Sequence, residues 1–446
     1  MAFFVVNYFR AIFRDVPILS VRRTVSIVSI KKGELHSMNL YKKVFKEYWN
    51  PYVAISIAGL VSALYFGITG TVWAVTGEFT RFGGHILEWF GIDASQWADF
   101  QLVGLEGNPI SRTDGWIVIG MLVGAMITIL LSSSFKIRVP KQKRRLVQGF
   151  IGGIIAGFGA RLALGCNLAA FFTGVPQFSF HAWIFMVTTA IGTYFGVKVV
   201  STKWWRGKPT MIKGRLSPGG KKDAPKRNIQ PILGLLFALI YLAVIIYFAA
   251  IGKTLLAVAC IAGALFGILI ERGQICFTSA FRDLWISGRA VMSKAIAVGM
   301  MISVVITFFY IQSGSIALIK VAAPSTAIGG LLFGFGIVLA GGCETGMMYR
   351  AMEGQLLYWV VGTGNIIGAT VLAYGWDHLG IYHALVENWP KVNLIEQWGP
   401  MGALIGTMIM LAAWLLFSNW WEKRFRYGTG IKHQKTERVS HVTKEV

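Results

Sequence analysis

At 446 residues, with 55% hydrophobic residues, 14% charged residues and a net charge of +23, the chain carries far fewer charges than the roughly 25% of ordinary soluble domains. Its mean hydropathy of +0.59 excludes a soluble enzyme, so the length is best counted in membrane spans of about 20 residues. The basic residues sit beside apolar segments with no zinc-finger, RNA-binding or basic-zipper pattern. That excludes a nucleic-acid partner and points to cytoplasmic loops obeying the positive-inside rule.

Residues 1–48 are basic and broken by charges before a spanning run or a signal peptide's apolar core can form. They read as a cytoplasmic tail, and Met38 opens a stretch that looks like an ordinary start. Ten apolar segments follow, at 52–75, 116–134, 146–165, 181–200, 231–250, 254–270, 290–311, 327–342, 357–374 and 400–417. The loop 136–145 (KIRVPKQKRR) and the Gly, Pro and Lys-rich linker 201–230 are basic. Loop 76–115 carries Glu78, Glu88, Asp93, Asp99, Glu106 and Asp114 against Arg81 and Arg112, and loop 375–399 is also acidic. Threading ten crossings puts the basic loops inside, the acidic loops outside and both termini in the cytoplasm. The expected organisation is a first membrane repeat at 49–200, the linker at 201–230, a second repeat at 231–420 and a cytoplasmic tail at 421–446.

The two halves repeat. Residues 152–166 read GGIIAGFGARLALGC and residues 329–343 read GGLLFGFGIVLAGGC, identical at 9 of 15 positions at an offset of 177. Trp183 then matches Trp359, and Ile191-Gly192 matches Ile367-Gly368. Five crossings separate the mates, so the repeat is inverted. The fold class expected is an all-α integral membrane protein, with about ten transmembrane or re-entrant helices arranged as two inverted repeats. Such repeats are the usual build of transporters, with the substrate site near the midplane. Close helix packing through small residues explains the glycines but not why each run ends in Gly-Cys.

Gly165 and Gly342 let the backbone turn before Cys166 and Cys343, and broken backbone is tolerated at membrane depth only where protein or a water-filled cavity surrounds it. The two thiols are expected to face each other across the pseudo-axis. A thiol is a weak, polarizable donor that can hydrogen-bond a soft sulfur anion without trapping it, and half-helix N-termini add positive partial charge. Cys276, after Glu271 and Arg272 in ERGQICFTSAFRDLW, is the third candidate. A weak alignment of Phe66-Gly67 with Phe266-Gly267 sets Thr76 opposite it. Cys260, in an unbroken apolar run, reads as a core residue. Arg161, Asn167, Glu344 and Arg350 are the other polar candidates near the repeats. Arg161 either attracts an anion or bridges to Glu344, and Glu344 is either paired with an arginine or protonated during the cycle. The four cysteines show no Cys-x-x-Cys and no neighbouring histidine, so neither a disulfide framework, a metal site nor a cofactor is expected.

GFGARLALGCNLAAFFTG, ERGQICFTSAFRDLW and GFGIVLAGGCETGMMYRA together resemble the YeeE/YedE family of sulfur transporters, which includes thiosulfate importers. The match is closest to the YedE branch, to which selenium transport is attributed. The resemblance implies an inner-membrane transporter of a small sulfur or selenium anion. It also implies that Cys166, Cys276 and Cys343 hand the anion inward, with a small cytoplasmic sulfur-carrier protein as a plausible partner. The alternative is a membrane thiol enzyme, a sulfurtransferase or oxidoreductase forming a persulfide on Cys276 or Cys343, with Arg272 and Arg350 as activating cations. A soft-metal transporter lacks the Met and His clusters such paths use.

Overall fold

The computed structural model describes residues 41–207 and 229–428. Most of the basic tail at 1–48, most of the linker at 201–230 and the end of the tail at 421–446 lie outside the described residues. Ten helical segments are long and apolar enough to cross a membrane, and each contains most of one apolar run in the sequence. Besides short helical pieces at Lys42–Lys46, Lys203–Arg206 and Ile381–Leu385, the first elements are α1 (Pro51–Thr69), α2 (Thr76–Trp89), α3 (Ala98–Val103), α4 (Thr113–Leu131) and α5 (Lys143–Leu162). Then come a short π-helical segment (Asn167–Phe172) and α6 (Phe180–Ser201). After the linker stand α7 (Gln230–Ala250), α8 (Thr254–Arg272), α9 (Phe277–Ser287), α10 (Val291–Gln312), α11 (Pro324–Ala340), α12 (Glu344–Met352), α13 (Leu356–His378) and α14 (Leu394–Gly428). Among the described residues only isolated bridges occur, with no strands.

The repeat glycines set the centre of the molecule. A Cβ on Gly152 would strike the backbone of Ala340, and one on Gly329 that of Ala163; Gly159 meets Phe333 as Gly336 meets Ala156. Residue numbers fall on α11 as they rise on α5, so these helices run antiparallel. Each contact maps onto another by the offset of 177. The flanking pairs repeat the pattern with parallel helices, where Gly153 and Gly157 press on Val361 and Asn365 of α13 as Gly330 and Gly334 press on Phe185 and Thr189 of α6. Lipid tails are as apolar as leucine, so helices here associate through close backbone approach, which any side chain at these positions would prevent. By contrast, α7 is mostly exposed along its apolar length, as a lipid-facing helix would be.

The loops sort into two ends. At one, Leu318 N donates to Gln177 Oε1 at 3.0 Å, Ala322 N to Pro390 O at 3.0 Å and Ala98 N to Asp377 Oδ2 at 2.6 Å, joining both acidic loops. At the other, Arg138 N in the basic loop donates to Gly354 O at 2.8 Å. The alternating threading expected from charge therefore agrees with the relative directions of the helices.

The acidic loop 76–115 holds more structure than the sequence reading assigned to it. The carboxylate of Glu78 on α2, 1% exposed, accepts from Arg81 at 2.9 Å and from Arg112 at 3.0 Å. These pairs tie the start of the loop to its end.

Candidate functional site

All three candidate cysteines stand at the same kind of break. The residue two places before each takes a left-handed backbone: Leu164 at φ 59°, Gln274 at φ 48° and Gly341 at φ 85°. That conformation ends the long helix. The cysteine is then extended and becomes the N-cap of a short helix, with Cys166 before Asn167–Phe172, Cys276 before α9 and Cys343 before α12. Each thiol lies beside the backbone amide three residues on, at Ala169, Ser279 and Gly346. The first amides of a helix have no intrahelical acceptor, so each thiol sits in a patch of N–H donors. In the second repeat the left-handed turn falls at Gly341 and not at Gly342, whose open side faces Tyr358 and Arg350.

The thiols do not meet as the sequence reading expected. Cys343 is paired with Cys276, Sγ to Sγ at 4.0 Å, and is not opposed by Cys166. Gly346 makes the approach possible, because a Cβ there would lie 2.7 Å from Cys276 Sγ. Cys166 instead lies against Glu344, the residue after Cys343, and against Thr76. Thr76 Oγ1 donates to Glu344 Oε2 at 3.0 Å, and the Asn365 side chain faces the same carboxylate. Thr76 thus stands to Cys166 as Cys276 stands to Cys343, as the alignment of Phe66-Gly67 with Phe266-Gly267 expects. The three cysteines, Thr76, Asn167 and Glu344 are each at most 3% exposed, so the cluster is shut off from the surface in this conformation.

Several buried polar atoms around the thiols have no hydrogen-bond partner: both side-chain atoms of Asn167, Glu344 Oε1, Asn365 Oδ1, Thr278 Oγ1 and Tyr349 OH. Leaving one such group unpaired costs about 1–3 kcal/mol, and native interiors hold only a few per hundred residues. A concentration of them on one line of thiols is what a polar ligand's path would produce. Asn167, Thr278 and Tyr349 are donors suited to an anion.

The cations are placed differently. Arg161 does not bridge to Glu344. Its Nε donates to both oxygens of Asp99, at 2.8 and 2.9 Å, Nη2 bonds the same carboxylate, and the guanidinium lies 5.3 Å from the Trp376 ring. Arg272 is held by Glu271 and the Phe45 carbonyl. Arg350 donates to Gly341 O at 3.0 Å and to Tyr358 OH at 2.8 Å, with Cys276 in its field. Glu344 has no ion-pair partner among the described residues. At an effective dielectric of about 20, a unit negative charge held 4 Å from an ionised carboxylate costs about 4 kcal/mol, so an ionised Glu344 would disfavour any anion held beside it.

Sequence reasoning missed Lys320, in the loop before α11. The residue is half-buried, but its ammonium turns inward, donating to Leu164 O at 2.6 Å and Ala169 O at 3.3 Å on either side of Cys166. Desolvation pushes it down to about 8, with Arg161 pushing the same way and Cys166 opposing. Its only sequence signal was a lone lysine in a short apolar loop.

A family model described as sulphur transport matches residues 7–195 and 272–445. The chain belongs to the sulphur-transport family. It is 50% identical over 381 residues to the probable transporter YedE of Escherichia coli strain K12, covering 85% of this chain and 94% of that protein. The probable transporter YedE of Salmonella typhimurium is 51% identical over 391 residues, 87% of this chain and 96% of that one. A shorter stretch of 102 residues is 43% identical to the thiosulfate transporter TsuA of E. coli, 22% of this chain and 29% of that protein. This member of the sulphur-transport family is a multi-pass membrane transporter.

Proposed function

We propose that the protein imports a small sulfur anion of the thiosulfate type, or its selenium counterpart, across the inner membrane, with both termini cytoplasmic and its halves arranged as inverted repeats. The reciprocal glycine contacts of α5 with α11 support the inversion. The observation that carries the path is the series of thiols at broken-helix N-termini, with Cys276 and Cys343 at 4.0 Å. Lys320 and the amides after Cys166 receive the anion at the end where the acidic loops lie. Asn167, Thr76 and Glu344 line the middle, and Cys276, Cys343 and the field of Arg350 carry it toward the basic end. Weak donors in series suit conduction, which needs sites that bind and also release. A small sulfur-carrier protein would accept the anion at the basic end. Arg350 beside Cys276 is the one feature that favours the alternative, a thiol enzyme forming a persulfide.

Purified protein titrated with thiosulfate, sulfate, selenite and selenate tests substrate choice. A ligand at 100 times its dissociation constant adds about 2.7 kcal/mol of apparent stability. Thiosulfate or selenite is expected to raise the unfolding temperature, and Cys343→Ala to abolish the shift. Equal shifts from sulfate would sink a thiol-selective site.

Lys320 supplies a pH signature. Its cation is lost above about pH 8, so uptake is expected to fall more steeply between pH 7 and 9 in wild type than in Lys320→Arg, whose guanidinium stays charged. A lysine's lowered folded pKa means the unfolded chain holds the proton more tightly, so stability gains as pH climbs from about 8 toward 10.5. Parallel uptake profiles for the two proteins would remove Lys320 from the path.

A further inference from the structure

The coupling device is readable around Glu344. This carboxylate is 3% exposed, Oε2 is held by the Thr76 hydroxyl, and Oε1 has no partner. The groups that face it are neutral donors from three directions: Thr76 on α2, Cys166 in the break after α5, and Asn365 on α13. On its own side of the bundle, Cys343 precedes it in the chain, and Cys276, the N-cap of α9, lies against Cys343. The nearby cations are engaged elsewhere, Arg161 with Asp99, Lys320 with two carbonyls and Arg350 with Gly341 and Tyr358. A fixed negative charge here would block the anion that the surrounding thiols and amides are built to pass, whereas a protonated carboxyl is a donor like its neighbours. In the inverted repeat the same position is Asn167, a neutral amide. The two mates therefore differ by one titratable proton at the centre of the path.

We propose that Glu344 is the proton-carrying site that couples this transporter to the proton gradient. It takes up a proton from the acidic-loop end when the anion enters, and releases it toward the basic end after the anion leaves. The inference rests on the transport reading above, and the site's ligand is a proton travelling with a sulfur oxyanion. Burial and the lack of an ion-pair partner among the described residues make the ionised state costly unless the site opens to water. Opening to one side and then the other would set the direction of the exchange.

The test uses full-length protein in proteoliposomes with a pH-sensitive dye inside and labelled inorganic thiosulfate outside. Wild type is expected to acidify the lumen as thiosulfate enters, and an acidic exterior to speed uptake at least fivefold. In Glu344→Gln the ratio of protons to thiosulfate should fall to background whatever the remaining rate, and Glu344→Asp should restore part of it. Thiosulfate entry in wild type without proton entry, or an unchanged ratio in Glu344→Gln, overturns the proposal while leaving the transport reading intact. No thiosulfate entry in wild type overturns both. If Glu344→Gln moves no thiosulfate, the same ratio and pH profile are read on Thr76→Ala, which removes the hydroxyl that holds the carboxylate. A shifted uptake profile is expected, and an unshifted one overturns the role of Glu344.

Discussion

Cys343→Ala is expected to cut thiosulfate uptake tenfold to a hundredfold while the protein remains folded, with Cys276→Ala and Cys166→Ala behaving alike. A hydrogen bond to a charged partner contributes about 1.5–3 kcal/mol, and each 1.4 kcal/mol is a factor of ten. Cys276 and Cys343 contact each other, Cys166 contacts Glu344 and Thr76, and each lies beside a backbone amide, so the loss should appear chiefly in uptake and not in melting temperature. Cys260 supplies the control. It is buried within unbroken α8, where its carbonyl accepts from Tyr241 at 3.0 Å, and Cys260→Ala should transport normally. Uptake by cells expressing each variant, normalised to protein in the membrane, reads the difference. Normal uptake in the variants at Cys166 and Cys343 would remove the thiols from the mechanism.

Asp99→Ala should produce the largest loss of stability. Asp99 is fully buried and Arg161 is 5% exposed, and removing one partner strands the other's charge. That costs about 3–5 kcal/mol in a buried pair, enough to deplete folded protein from the membrane. The double variant Asp99→Leu with Arg161→Met should recover much of this, since apolar side chains of similar volume often replace a buried pair at no cost. Thermal melting of wild type, Asp99→Leu, Arg161→Met and the double variant completes the cycle. Uptake then separates two roles. Transport restored with the fold makes the pair a clamp on α3, whereas a stable but inactive double variant assigns Arg161 to the anion.

All ten spans were legible, because lipid selects apolar runs of fixed length and the loops between them carry their charge by side. The Gly-Cys repeats were legible because close backbone packing at the centre admits only glycine, as at Gly152 and Gly336. The pairing of charges was not. Arg161 finds Asp99 62 residues earlier in sequence, in a loop whose acidity reads only as outside. The 14 residues of α2 carry an apolar stripe of Phe79, Phe82, Ile86 and Trp89, but Glu78, Arg81 and Glu88 rule out a spanning run, so a search for spans passes over them. The partner of Cys343 was misread because equivalent positions in two sequence repeats need not touch: Cys276 lies beside Cys343 and Thr76 beside Cys166.

In the proposed mechanism an intact sulfur anion crosses along these thiols. Thiosulfate carrying different sulfur isotopes at its outer and inner positions, supplied to proteoliposomes of the wild-type protein, decides it. Transport predicts both isotopes in the lumen in equal amounts as thiosulfate, with Cys276 and Cys343 unmodified by mass spectrometry. Sulfite released outside, with the outer sulfur retained as a persulfide on Cys276 or Cys343, would contradict it and make the protein a sulfurtransferase.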